Sequence, residues 1–225
     1  MGIAERRERE REALRTRIVE AARDIVSGEG LDALSMRAIA ERIEYSPATL
    51  YLYFRDKDEI LREVVAEGFR RLGEESRAQL GVVGEDADPA ERHRSLGRAY
   101  ARFALENTAY FRVMFELPTV ARVTGSTECG GAAAPSEGSD AWCILVETLR
   151  RAIDEGRVRR ADPAHAAFIS WGLLHGLTSL YLGGHLTRVA GSHEEFFTLV
   201  EEAMETMRQG FRPDGADESH ADPAP

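Results

Sequence analysis

The stretch that most constrains this chain runs from Ser35 to Leu61, SMRAIAERIEYSPATLYLYFRDKDEIL. Its helix start signals fall so close together that only short helices joined by tight turns can be built from it. Ser35 can cap a first helix whose apolar face is Met36, Ile39, Ala40 and Ile43, at helical spacing. Ser46-Pro47 then sets an N-cap directly before a proline at the first helical position, where the missing N–H has no partner to lose. Only about seven residues follow before Phe54-Arg55, so this second helix is too short to be stable alone. Leu50 and Phe54, spaced i and i+4, can pack inward and leave Pro47, Thr49, Tyr51 and Tyr53 outside. A short, supported helix displaying hydroxyls and phenols beside a tight turn suits insertion into the DNA major groove, as in a helix-turn-helix.

The same stretch resembles the DNA-binding domain of the TetR family of bacterial transcriptional regulators. The carriers are the run IVEAARDIVSGEGLDALSM, the pair Ile39-Ala40, the S-x-x-T-L-Y block from Ser46 to Tyr51, and Y-F-x-x-K-x-E-I-L from Tyr53 to Leu61. By that resemblance Thr49 and Tyr51 face the groove, while Tyr53 and Lys57 face phosphates. Ser35 and Arg37 can add backbone contacts, Arg37 in bidentate fashion. Tyr45 either touches DNA or fills space in the turn, and Ser46 is counted with the interface as the cap of the reading helix. One departure stands out: Glu44-Tyr45 occupies the turn where the family commonly has Gly-Val. A non-glycine at positive φ there costs about 1 kcal/mol or more if the same backbone is kept.

Charge needs weighing against a DNA partner. The net charge is −10, yet residues 1–65 carry 12 basic and 14 acidic side chains against 17 and 25 in residues 66–225. Local placement of cations against phosphates decides affinity, not the total. The run Arg6 to Arg11 reads either as a solvated helical extension or as an arginine arm touching the backbone or minor groove. Lys57 is the only lysine in the chain and lies in the first turn of a third helix, which Asp56 can cap with Glu59 as capping-box partner. A cation there is mildly unfavourable with the helix dipole unless an anion such as a phosphate is nearby.

Other classes are disfavoured. No segment reaches the ~18 apolar residues of a membrane span, and the first residues have no apolar signal region, so a cytoplasmic protein with no membrane partner is expected. Cys129 and Cys143 make neither a disulfide framework nor a zinc spacing, which fits a reducing compartment. Metal spacing, a nucleophile–base pair and a phosphate-cradling glycine loop are all missing from the sequence, so no enzyme activity, cofactor or metal is expected.

Beyond residue 62 only helical patterns appear: Asp58–Leu80, Ala90–Asn107, a short aromatic Tyr110–Leu117, Ala141–Glu155, Pro163–Leu182 and Glu194–Phe211. The glycine- and serine-rich Val123–Asp140 reads as a mobile loop, and the tail after residue 212 as disordered. FISWGLLHGLTSLYLGGHL, residues 168 to 186, resembles the W-x-x-x-H-G signature of one class of C-terminal domains in TetR-like regulators, with Trp171, His175 and Gly176 matching. Gly172, Gly176, Ser179 and Gly183 form a small-residue stripe, which suits either dimerisation with a second chain or internal packing. Tyr100, Phe103, Phe111, Met114, Phe115, Trp171 and His175 are either core or the lining of an apolar pocket, where inducers bind in this family.

The expected architecture is therefore all-α, with about nine helices: a three-helix DNA-binding domain over 1–62, an effector-binding and dimerisation bundle over 63–212, and a tail over 213–225. The resemblance implies a homodimeric regulator, in most cases a repressor, released from a palindromic double-stranded operator by a small apolar ligand. A helix-turn-helix regulator controlled by a protein partner is the alternative.

Overall fold

The computed structural model describes residues 2–115, 139–159 and 161–212. Among them the chain is entirely helical, with nine α-helices, one 3₁₀ turn and no strand. Its contacts form two units, one of residues up to Arg71 together with those from Asn107 through the sixth helix, the other of Leu72–Glu106 with residues from Asp140 onward. The expected boundary at 62 falls inside a helix that continues to Val83.

In the first unit α1 spans Ile3–Glu29, and Ile18, Ala22, Ile25 and Val26 form its buried stripe. Gly30, at φ 89°, ends it and leads into the 3₁₀ turn Leu31–Ala33. The helices α2 (Met36–Ile43) and α3 (Pro47–Leu50) follow, and α4 runs Lys57–Val83. Buried Ile39, Ile43, Leu50, Phe54, Ile60 and Val64 join these elements into one core. Arg15 ties it from outside: its guanidinium lies 4.8 Å from the Phe54 ring centre and 2.6 Å from Glu63.

The sixth helix, α6 (Thr108–Phe115), packs on α1 in the same unit. Tyr110 is buried with the Arg23 and Arg71 guanidinium carbons each 4.9 Å from its ring centre. A Cβ on Gly68 would collide with the Met114 side chain, so the glycine lets α6 approach α4 closely.

The second unit comprises α5 (Pro89–Glu106), α7 (Ser139–Asp154), α8 (Pro163–Leu182) and α9 (His193–Gly210). Helix α5 packs on both α8 and α9, and Gly97 brings it against Met204, 3.1 Å from where a Cβ would stand. Val146 and Leu149 of α7 meet Ala166 and Ala167 of α8 in a smaller cluster flanked by Trp142 and Phe211. The loop expected over Val123–Asp140 lies outside the described residues as far as 138, and α7 already occupies its end. Cys129 and the tail from 213 also lie outside them. Cys143 lies on α7.

Candidate nucleic-acid interface

The turn between α2 and α3 is held by local hydrogen bonds. Ser35 caps α2 through Ala38 N–H at 3.1 Å, and Ser46 caps α3 through Thr49 N–H at 3.2 Å. Between them Glu44 sits in the left-handed region at φ 62°, ψ 42°, the one non-glycine with positive φ among the described residues. Its N–H reaches Glu41 O at 3.3 Å while Tyr45 N–H reaches Ala40 O at 2.9 Å, the paired bonds of a Schellman cap. The left-handed turn is therefore formed without a glycine. An arginine supports it: Arg17 donates to Ile43 O at 3.1 Å and lies 5.5 Å from the centre of the Tyr45 ring. Nothing in the sequence pattern singled out Arg17, because its partner is 26 residues away.

The regular part of α3 is one turn, and it continues through Leu52 N–H to Thr49 O at 3.1 Å and Phe54 N–H to Leu50 O at 3.0 Å. Leu50 is fully buried, so the opposite side is presented outward. Ser35, Arg37, Tyr45, Ser46, Tyr51 and Lys57 are exposed, and Thr49 and Tyr53 half-buried. Thr49 turns its hydroxyl to Ser46 Oγ at 2.9 Å. Arg37 pairs with Glu41 at 2.9 Å on the surface, a weak contact that a phosphate can replace. Leu52, 75 % exposed, is an outward residue the sequence reading did not name.

Lys57 stands at the first position of α4 and makes no ion pair with any described residue. Asp56 caps that helix through Glu59 N–H at 2.8 Å, as its position suggested. The Glu59 carboxylate accepts from Arg55 N–H at 2.7 Å and not from Asp56, so the box closes one residue earlier than expected. These bonds, the backbone one first, hold its pKa below the ordinary carboxylate value. The Arg6 to Arg11 run is exposed helix within α1, with Arg6 paired to Glu10 at 3.5 Å.

The residues expected to line an effector pocket fall in both units. Phe111, Met114 and Phe115 belong to the first, where Phe115 meets Phe69 at 5.7 Å and Phe111 at 5.1 Å between ring centres. Tyr100, Phe103, Trp171 and His175 belong to the second. There the Tyr100 hydroxyl accepts from Trp171 Nε1 at 3.3 Å and shares a hydrogen bond with His175 Nδ1 at 2.9 Å. Burial pushes the Tyr100 phenol well above its ordinary pKa despite the Trp171 bond, so it stays neutral. A second pair was not foreseen: buried His93 Nε2 lies 2.7 Å from Ser170 Oγ, and burial pulls this histidine down to about 4. A separate groove of about 460 Å³ lies beside α1 and α4, where carboxylates and guanidinia alternate with Val19, Ala66 and Tyr110.

On α8 a Cβ at Gly172 or Gly176 would meet nothing within 4 Å, and Phe168, Ile169 and Leu180 are exposed. Gly183 differs, since a Cβ there would press on His185 and on Ser179 O. No helix among the described residues is long and apolar enough to cross a membrane.

Comparisons with known proteins match two stretches of the chain. Residues 18–64 match the family described as bacterial regulatory proteins, tetR family, and residues 93–204 match the tetracyclin repressor-like C-terminal domain. The transcriptional regulator UidR of Escherichia coli strain K12 is 37 % identical over 62 residues, which is 28 % of this chain and 32 % of UidR. The transcriptional repressor KstR of Rhodococcus jostii is 40 % identical over 58 residues, 26 % of this chain and 27 % of KstR. The chain thus spans about a third or less of the length of these curated relatives. A Rhodococcus protein of unknown function shares the fold over 88 % of this chain and 95 % of its own, with TM-score 0.69 and 24 % identity. The fatty acid degradation regulator FadR of Bacillus halodurans does so over 86 % and 93 %, with TM-score 0.66 and 17 % identity. Since the two family matches together cover well over half of its residues, the chain belongs to the TetR family of bacterial regulatory proteins.

Proposed function

We propose that this protein is a transcriptional repressor that binds a two-fold symmetric operator as a homodimer and leaves it when a small apolar ligand occupies the α5–α9 unit. The observation that carries the DNA half is the intact α2–turn–α3 unit with Lys57 at the start of the adjoining helix. In a dimer, two α3 segments would enter successive major grooves about 34–36 Å apart. Ser35, Arg37, Tyr45, Tyr53 and Lys57 position the protein on the backbone, while Thr49 and Tyr51 face the groove from the helix that Ser46 caps.

The dimer half rests on α8. Its open glycines and exposed Phe168, Ile169 and Leu180 leave an apolar face that a second copy would cover. The Trp171–Tyr100–His175 cluster is the reading of the W-x-x-x-H-G block: it joins α5 to α8 through polar atoms that a ligand could displace. Release then requires that the ligand bind one conformation better than the other, typically by ~1–3 kcal/mol.

The test is selection of bound fragments from random and genomic DNA, with salt titrated and Lys57→Ala in parallel. We expect a symmetric motif, steep salt dependence, and a variant that binds every sequence more weakly with a slope shallower by about one phosphate per subunit. An unchanged slope would remove Lys57 from the phosphates, and the absence of any symmetric motif would overturn the operator reading.

A further inference from the structure

The segment from Tyr45 to Phe54, YSPATLYLYF, holds no charged residue and no asparagine or glutamine. The strongest base readers, a guanidinium on guanine or an amide on adenine, are therefore missing from the element that would enter the groove. Two of its five hydroxyls, those of Ser46 and Thr49, are committed to each other. Ser46 Oγ receives Thr49 N–H at 3.2 Å and is paired with Thr49 Oγ1 at 2.9 Å, so both serve the helix start. Besides Tyr45 and Ser46, the outward residues are Pro47, Ala48, Tyr51 and Leu52, all exposed. Leu52 is 75 % and Tyr51 58 % exposed. A lone exposed leucine needs no explanation, but this one follows exposed Tyr51 on a segment whose Leu50 and Phe54 are buried in the core.

Only one base-edge group in the major groove is apolar, the C5-methyl of thymine. We propose that this protein reads its operator chiefly through thymine methyl groups, with Leu52 as a specificity-determining residue and Pro47, Ala48 and the Tyr51 ring completing the surface. The inference rests on the operator-binding reading and goes beyond it by naming the chemistry recognised. Half-sites should be thymine-rich where this surface meets the groove, and the Tyr51 hydroxyl supplies the polar contact the surface otherwise lacks.

Replacing thymine by deoxyuridine removes that methyl and leaves base pairing and phosphate charge unchanged. On the operator recovered by selection, position-by-position substitution should weaken binding by about fourfold for each contacted methyl, with the salt slope constant. Leu52→Ala, a change on the surface, should weaken the thymine operator by a similar factor and bring the thymine-to-uracil ratio at its position to about 1. Specific binding with no uracil effect at any position would overturn the proposal, as would a uracil effect that Leu52→Ala leaves intact. If no operator is recovered at all, the operator reading falls and this proposal falls with it.

Discussion

The two functional regions of this molecule stabilise their polar atoms in opposite ways. Around α2 and α3 each cap closes within four residues: Ser35 to Ala38, Ser46 to Thr49, Asp56 to Glu59, Glu59 to Arg55. In the α5–α8 region the bonds join residues 71 to 77 apart, Trp171 to Tyr100, His175 to Tyr100 and His93 to Ser170. A region built on local bonds keeps its outward surface when a distant part rearranges. One built on buried cross-helix bonds must rearrange as a unit, because separating either partner leaves a polar atom without water or mate. The first arrangement suits a rigid reading head, the second a two-state effector unit.

The strongest attack on the rigid half is Phe54→Ala. Phe54 is 2 % exposed and carries Arg15 on its ring. Truncation should lower unfolding free energy by about 3–5 kcal/mol in a denaturant titration, and DNA binding should vanish with it. A loss under 1 kcal/mol would mean that local caps alone hold the reading head.

The α5–α8 region should reveal itself through pH. His93 falls from an ordinary 6.5 to about 4 because burial disfavours its charged form, so the folded state binds fewer protons than the unfolded one. Its contribution is therefore fully present above pH 6.5 and is lost as pH falls toward 4, a loss of about 3 kcal/mol. His93→Gln should flatten that part of the stability–pH curve, and an unflattened curve would mean that other groups carry it.

This contrast also explains what could be read from the sequence. Ser46-Pro47, Asp56 and the period of Met36, Ile39 and Ile43 are local signals, and the helices they imply are there. His93 and Ser170 carry no such mark, since a histidine and a serine become a pair only when α5 meets α8. Arg17 was equally hidden, its role being to hold a turn 26 residues on. The pocket set is the intermediate case. An aromatic pattern identifies buried residues but not which unit buries them, and Phe111 and Met114 pack with α1 and α4 while Tyr100 and Trp171 pair across α5 and α8.

A smaller effect probes the α8 face. Gly176→Leu adds a side chain where a single chain offers nothing within 4 Å, so the monomer should keep its helix content and gain propensity. If a second copy covers this stripe, overpacking of about 1–3 kcal/mol should raise the dimer dissociation constant by roughly 5- to 150-fold in sedimentation. An unaltered dimer would place the interface elsewhere.

The smallest expected effect is Glu44→Gly, and its sign is informative. Glycine relieves the left-handed penalty of about 1–2 kcal/mol at φ 62° but enlarges the unfolded ensemble by roughly half that, for a net gain of about 0.5–1 kcal/mol. The Arg17 bond to Ile43 O and its stacking on Tyr45 act on the same turn, so the two contributions should not add. Arg17→Ala should destabilise the wild-type turn more than it destabilises the Glu44→Gly variant, because glycine needs no external support to hold that backbone. Equal losses in both backgrounds would mean that Arg17 serves only Tyr45, leaving the strain of Glu44 to be carried by the Schellman bonds of Glu44 and Tyr45 alone.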